Sequence, residues 1–149
     1  MPNHCENDLY ISGSDADVAA LLALIGADQE PPKFDFNALI HYPEKFRQMD
    51  AECPQWNVPS AERVELLAAY KAKWGTEGDG FNAGGYDWCV ANWGTKWNAY
   101  NVQRRDHGRI SCVTFETAWA PPMPVIKALA ERFPAVTISI EYFERGMAM

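Results

Sequence analysis

Three histidines and four cysteines are the residues of this chain best suited to nucleophilic, acid–base or metal chemistry, and their spacing argues against all three. His4, His41 and His107 fall in three separate segments, and none belongs to a His-Glu-x-x-His pattern that would put two ligands on one helix face. Cys5, Cys53, Cys89 and Cys112 stand 48, 36 and 23 positions apart, without the close pairs that zinc sites and dithiol redox motifs require. A chain of this size can build a core without staples, so free and mostly buried thiols are the expectation. Gly78, Gly80, Gly84 and Gly85 form neither a Walker nor a dinucleotide fingerprint. The expectation is therefore a protein that is not an enzyme, with no catalytic residue, cofactor or metal; an enzyme of unrecognised type ranks third, behind the two binding readings that follow.

Binding chemistry is more prominent. Residues 86–100 hold three of the six tryptophans. Trp and Tyr dominate interface hot spots, so Tyr86, Trp88, Trp93, Lys96 and Trp97 form a candidate protein-binding corner, with packing of a core as the competing role. The net charge of −7 supplies a second candidate. Residues 1–32 contain no Lys or Arg but carry Glu6, Asp8, Asp15, Asp17, Asp28 and Glu30. An acidic surface repels phosphate backbones and attracts basic proteins, including grooves that normally hold nucleic acid. The alternative, a nucleic-acid contact, rests on Lys96 with the close pair Arg104 and Arg105. Direct nucleic-acid recognition is disfavoured, because the open sheet face reads as polar and partly acidic and the third strand carries no basic-aromatic RNA-binding signature.

The elements that must position these groups follow from periodicity. Leu9 and Ile11 alternate with polar neighbours over residues 5–12, a half-buried strand. Ser14 caps a helix over 14–26, with Asp15 and Asp17 in its first turn and Gly26 at its end. Strands are expected at 96–103 and 109–118, joined by a hairpin turn at Arg104-Arg105-Asp106-His107-Gly108. A helix over 121–133 and a strand over 136–143 complete the set. In the last strand one face is Val136, Ile138, Ile140 and Tyr142, and the other is the more polar Thr137, Ser139, Glu141 and Phe143.

The order strand, helix, strand, strand, helix, strand predicts an α+β fold: one ferredoxin-like βαββαβ sandwich, with core residues 4–26 and 95–144. Residues 27–94 are then a mostly helical insertion, since a structureless loop of about 70 residues is improbable inside a domain. Within it a short extended piece at 34–40, a helical turn from Pro43, a helix capped by Ser60 and ended by Gly75, and a flexible loop at 76–85 are expected. The longest apolar run, Val18–Ile25, is eight residues, whereas a membrane span needs about 20. The first residues lack the layout of a secretory signal, and a cytoplasmic protein of a bacterial host cell, with no membrane contact, is expected. Monomer and homodimer are both compatible with the pattern.

Several segments together carry a resemblance. Pro2-Asn3-His4-Cys5-Glu6-Asn7, Phe34-Asp35-Phe36-Asn37 with Tyr42-Pro43, Tyr86-Asp87-Trp88-Cys89, Trp93-Gly94-Thr95-Lys96-Trp97-Asn98-Ala99, Phe115-Glu116-Thr117-Ala118-Trp119 before Pro121-Pro122, and Glu141-Tyr142 make up a pattern spanning nearly the whole chain. It resembles the YubB-type ferredoxin-like family of small proteins encoded by phages, plasmids and integrated elements. The resemblance implies the fold and a mobile-element origin, but no catalytic residues, because the family has no established activity. Relatives of that kind are expected to continue beyond Met149. The functional expectation is a non-enzymatic accessory protein that binds a host or mobile-element protein with a basic surface, as an inhibitor of a host defence system in the manner of acidic anti-CRISPR proteins.

Overall fold

The structure is a computed structural model that describes residues 3–144. Strand β1 (His4–Ser12) buries Cys5, Asn7, Leu9 and Ile11 and turns the residues between them to the opposite face. Helix α1 (Asp15–Ile25) starts as its sequence predicts: the Ser14 hydroxyl accepts from the Asp17 amide at 3.2 Å, and Gly26 closes the last turn. Leu21, Leu22 and Ile25 form its buried stripe.

The remaining strands are β2 (Tyr100–His107), β3 (Ile110–Ala118) and β4 (Thr137–Glu144), with a further helix (Met123–Arg132) between the last two. All pairings are antiparallel, and the order across the sheet is β2-β3-β1-β4. That order places the first and third strands in the centre and is the ferredoxin-like arrangement expected from the sequence. The core lies on one face, where Leu9, Ile11, Val113 and Phe115 join the apolar stripes of the two helices.

The second strand departs from expectation by four residues. Lys96 to Ala99 lie before it, and Arg104 to His107 are strand rather than turn; the chain reverses at Gly108 and Arg109, with His107 opposite Ile110. A two-residue connection with glycine at positive φ suits the twist of a hairpin, whereas the five-residue turn would have ended pairing early. Near its start β2 bulges: Tyr100 faces Glu116 and Gln103 faces Thr114, with Asn101 at φ 52°. Asn tolerates that conformation better than most residues.

Two compact units divide the chain, one Met1–His41 with Cys89–Met149 and the other Tyr42–Trp88. The separate unit is thus shorter than the predicted insertion. Residues 27–41 and the stretch after Cys89 belong with the sheet because their aromatics complete its core. The predicted extended piece ends at Phe36, which opens a 3-10 turn (Phe36–Ala38). Phe34 stands two residues ahead of it, and both rings pack on Phe115, with centroids 4.9 and 6.4 Å away.

The second unit contains α2 (Glu44–Glu52), α3 (Ser60–Trp74) and the start of α4 (Tyr86–Asn92), which leaves the helix at Met123–Arg132 as α5. Ser60 is the first residue of α3 rather than its cap, and Pro59 stands before it without a side-chain bond. The glycine-containing stretch is not a free loop. Phe81–Gly85 forms a wide helical turn kinked at Gly84, where φ is +143°, and its Phe81 amide donates to the Asp50 carboxylate at 2.8 Å. Gly80 lies so close to α2 that a Cβ there would stand 2.0 Å from the Phe46 carbonyl oxygen.

Candidate functional site

Strand register decides which polar groups share a surface. The face of the sheet opposite the core presents three rows that cross it from β2 to β4. The first is Tyr100, Glu116, Glu6 and Phe143, the second Gln103, Thr114, Asp8 and Glu141, and the third Arg105, Cys112, Tyr10 and Ser139. Most of the first two rows, with Arg105 from the third, line a broad hollow of about 860 Å³ that includes Glu6, Asp8, Glu116, Glu141 and Phe143. Four carboxylates therefore share a surface with one guanidinium.

Their arrangement is more specific than a solvated acidic face. Glu6 is the direct cross-strand partner of Glu116, and Asp8 that of Glu141. Like charges directly opposite one another in an antiparallel pair are destabilising. Glu116 is held in place by the Asn101 side-chain amide, and the Tyr10 hydroxyl reaches Glu141 at 3.5 Å. The field is felt by neighbouring groups. Desolvation raises the Tyr10 phenol above its ordinary value, and Glu141 and Asp8 push it further. Burial likewise raises the Cys112 thiol, with Asp8 and Glu141 adding to it and Arg105 opposing. Among the described residues no group of three or more His, Cys, Asp or Glu is placed to hold a metal ion.

The six acidic residues grouped by sequence go to different places. Glu6 and Asp8 lie on the open face. Asp15 and Asp17 are in the first turn of α1, where the Ser14 hydroxyl donates to Asp17 at 2.8 Å. Asp28 and Glu30 border another hollow, of about 600 Å³, with Arg104 and Asp106. A strand and the helix after it run on different layers, so closeness in sequence could not keep the six together.

The basic candidates divide for a similar reason. Successive side chains on a strand point to opposite faces. Arg105 stands among the carboxylates opposite Cys112, whereas Arg104 is opposite Val113 and makes an ion pair with Asp106 at 3.0 Å. Lys96 is elsewhere, its ammonium over the rings of Trp97 and Trp119. Lys96, Arg104 and Arg105 do not form one basic surface.

The aromatic candidates occupy three environments. Tyr86 meets Phe81 edge-on and Trp88 meets Tyr42 edge-on, at 5.6 and 5.7 Å between centroids. Trp93 is 3 % exposed, packs on Phe36 and donates from Nε1 to the Ile40 carbonyl at 2.7 Å. It is a core residue and has no surface to offer a partner. Trp97 is the exposed member. Gly94 makes the bend between them: its φ is +79°, and a Cβ would stand 2.7 Å from Pro124 Cδ.

Asn98, directly after Trp97, closes a polar clamp at the edge of the sheet. Its Oδ1 accepts from the Phe36 and Ala99 amides, and its Nδ2 donates to Asp35 at 2.9 Å. Desolvation pushes the Asp35 carboxyl up, but hydrogen bonds from Asn98 and Asn37 outweigh it and hold the group below its ordinary value.

Residues 92–149 match the family model of the ferredoxin-like domain in Api92-like protein. The matched segment supplies β2, β3, α5 and β4, and β1 completes the sheet from the other end of the chain. The crystal structure of a protein Api92 from Yersinia pseudotuberculosis superposes with a TM-score of 0.56 at 12 % identity, covering 100 % of this chain and 92 % of that one. At that identity the likeness concerns the fold alone. No curated protein matches the chain.

The open face holds residues that sequence reading did not single out. Glu116 and Glu141 come from later strands, and alternation placed Glu141 on a polar face without saying what stood opposite. Trp119 follows β3 and carried no signal that it meets Lys96.

Proposed function

We propose that this protein acts by binding rather than by chemistry, and that its open sheet face receives a basic segment of a partner protein. The observation that supports this most directly is the pair of like-charge oppositions, Glu6 with Glu116 and Asp8 with Glu141, on adjacent rows of one hollow. Such pairs weaken a sheet in isolation, and a docked cationic side chain would turn the repulsion into attraction. Phe143 at the edge of the face, 52 % exposed, adds an apolar anchor beside the charges.

In the setting of a phage or plasmid accessory protein, this face would occupy a basic groove of a host protein that otherwise holds nucleic acid, and would inhibit a defence system by competition. The overall charge of −7 favours that encounter. A direct nucleic-acid role has less support, because Arg105 lies within the acidic face, Arg104 is paired with Asp106, and Lys96 lies against tryptophan.

Calorimetric titration with a Lys/Arg-rich peptide and with a single-stranded oligonucleotide tests the reading. The expected result is peptide binding that weakens steeply with salt and is lost in an Asp8→Asn/Glu116→Gln protein of unchanged circular dichroism. Peptide binding indifferent to those substitutions, or binding of the oligonucleotide alone, would overturn it.

A further inference from the structure

Outside the sheet face, one surface cluster has a geometry that folding by itself does not demand. The Lys96 ammonium lies over two indole rings, 4.8 Å from the centroid of Trp97 and 5.0 Å from that of Trp119. The rings are 37 % and 40 % exposed, so neither is committed to the core as Trp93 is. An indole face attracts cations through its quadrupole, and two faces on one ammonium form a recognition element for alkylammonium and guanidinium groups.

Backbone geometry at Trp119 adds an independent observation. Its φ is +71°, the left-handed region, which a bulky residue seldom adopts. The residues around it are pinned. The Trp119 amide donates to the Asn3 carbonyl at 2.7 Å, the Thr95 hydroxyl to the Ala118 carbonyl at 2.7 Å, and the Thr117 hydroxyl to the Ala120 carbonyl at 2.7 Å. The strain is thus held on one residue whose ring is half in solvent. Strain of that kind, maintained by its surroundings, accumulates at ligand clamps more than in scaffold. Gly94, with its own positive φ, lies just ahead of the segment that carries Lys96 and Trp97.

We infer that Trp97 and Trp119 form a cation-binding site that the chain's own Lys96 occupies, and that an alkylammonium or guanidinium side chain of a partner protein enters it by displacing Lys96. Lys96 serves as an internal stand-in for that ligand and shows which chemistry the two rings accept. A nucleobase could also stack on indole, but the group already seated there is a cation, and the chain carries a charge of −7.

Tetramethylammonium chloride is a suitable probe, titrated at constant ionic strength against sodium chloride while the indole N–H signals are followed in ¹H–¹⁵N spectra. Trp97→Phe and Trp119→Phe proteins assign the two signals. In Lys96→Met, which keeps the stem and removes the charge, saturable shifts confined to Trp97 and Trp119 are expected at a concentration about tenfold or more below that needed by the wild type. Lys96→Arg, which refills the site with a guanidinium, should restore the wild-type resistance. Lys96→Ala, read in the same way, decides the matter if Lys96→Met loses signal dispersion. Equal weak shifts in wild type and variants, or shifts spread over all six indoles, would overturn the inference. The Asp8→Asn/Glu116→Gln protein should respond like wild type, so failure here and failure of the sheet-face reading are separate outcomes.

Discussion

Glu6 on the first strand stands directly across from Glu116 on the third, in the centre of a four-stranded sheet and on the face away from the core. This opposition makes stability and binding move in opposite directions. Replacing Glu6 with Gln removes one charge of the pair and should raise the free energy of unfolding by about 0.2–1 kcal/mol, read from urea midpoints. The same substitution should weaken capture of a basic peptide. A destabilised Glu6→Gln protein would show that Glu6 serves the fold instead.

The acidic field of the open face can be tested without any partner. Desolvation raises the Cys112 thiol, Asp8 and Glu141 raise it further, and Arg105 opposes them. Asp8→Asn and Glu141→Gln should each lower the pH at which the Cys112 ¹³Cβ signal titrates, whereas Arg105→Ala should raise it. A midpoint unmoved by all three would mean that burial alone sets it.

Trp93 and Trp97 should behave as different kinds of residue despite their shared motif. Trp93→Ala removes a ring that is 3 % exposed and a hydrogen bond to Ile40, and should cost about 3–5 kcal/mol of stability. Trp97→Ala removes a ring that is 37 % exposed and should cost under about 1 kcal/mol, the scale of an exposed cation–π contact. Thermal unfolding of the two variants separates them.

Asn98→Ala should expose the Asp35 clamp as a pH-dependent element. Desolvation raises the folded Asp35 carboxyl, but the amides of Asn98 and Asn37 prevail and lower it overall. The stability this contributes is complete above the ordinary aspartate range and is lost as pH falls through the folded value. The stability deficit of Asn98→Ala should be widest near neutral pH, at about 1–3 kcal/mol, and should narrow in acid. Urea unfolding at neutral pH and in acid reads both.

Gly94→Ala should fail in two ways at once. A left-handed conformation costs a non-glycine residue about 1–2 kcal/mol. The added Cβ would also stand 2.7 Å from Pro124 Cδ, and overpacking of that kind adds typically about 1–3 kcal/mol. A Gly94→Ala protein as stable as wild type would mean that the bend can relax.

Local chemistry was legible where it acts within a few residues. Alternation marked β1 and the two faces of β4, and Ser14 with Gly26 marked the ends of α1. The element order then led to the βαββαβ arrangement, because few topologies accommodate it. The boundaries of β2 were not legible, since Lys96 to Ala99 are as compatible with a strand as Arg104 to His107, and only pairing with β3 chooses between them. Likewise Phe34 and Phe36 read as an extended piece until Phe115 supplied a core for both rings.

Periodicity, capping and composition, being properties of neighbours along the chain, specify the strands and helices of the βαββαβ core and their order, the amino-terminal acidity and the tryptophan-rich segment, but not the turns of residues 27–85. What those residues face depends on how distant segments align. Register set Glu6 against Glu116 and Asp8 against Glu141, the period of two sent Arg104 and Arg105 to opposite faces, and the path after β3 brought Trp119 to Lys96. Each of these relations is made by strands or loops far apart in sequence, whose alignment is fixed by burying one face of the sheet.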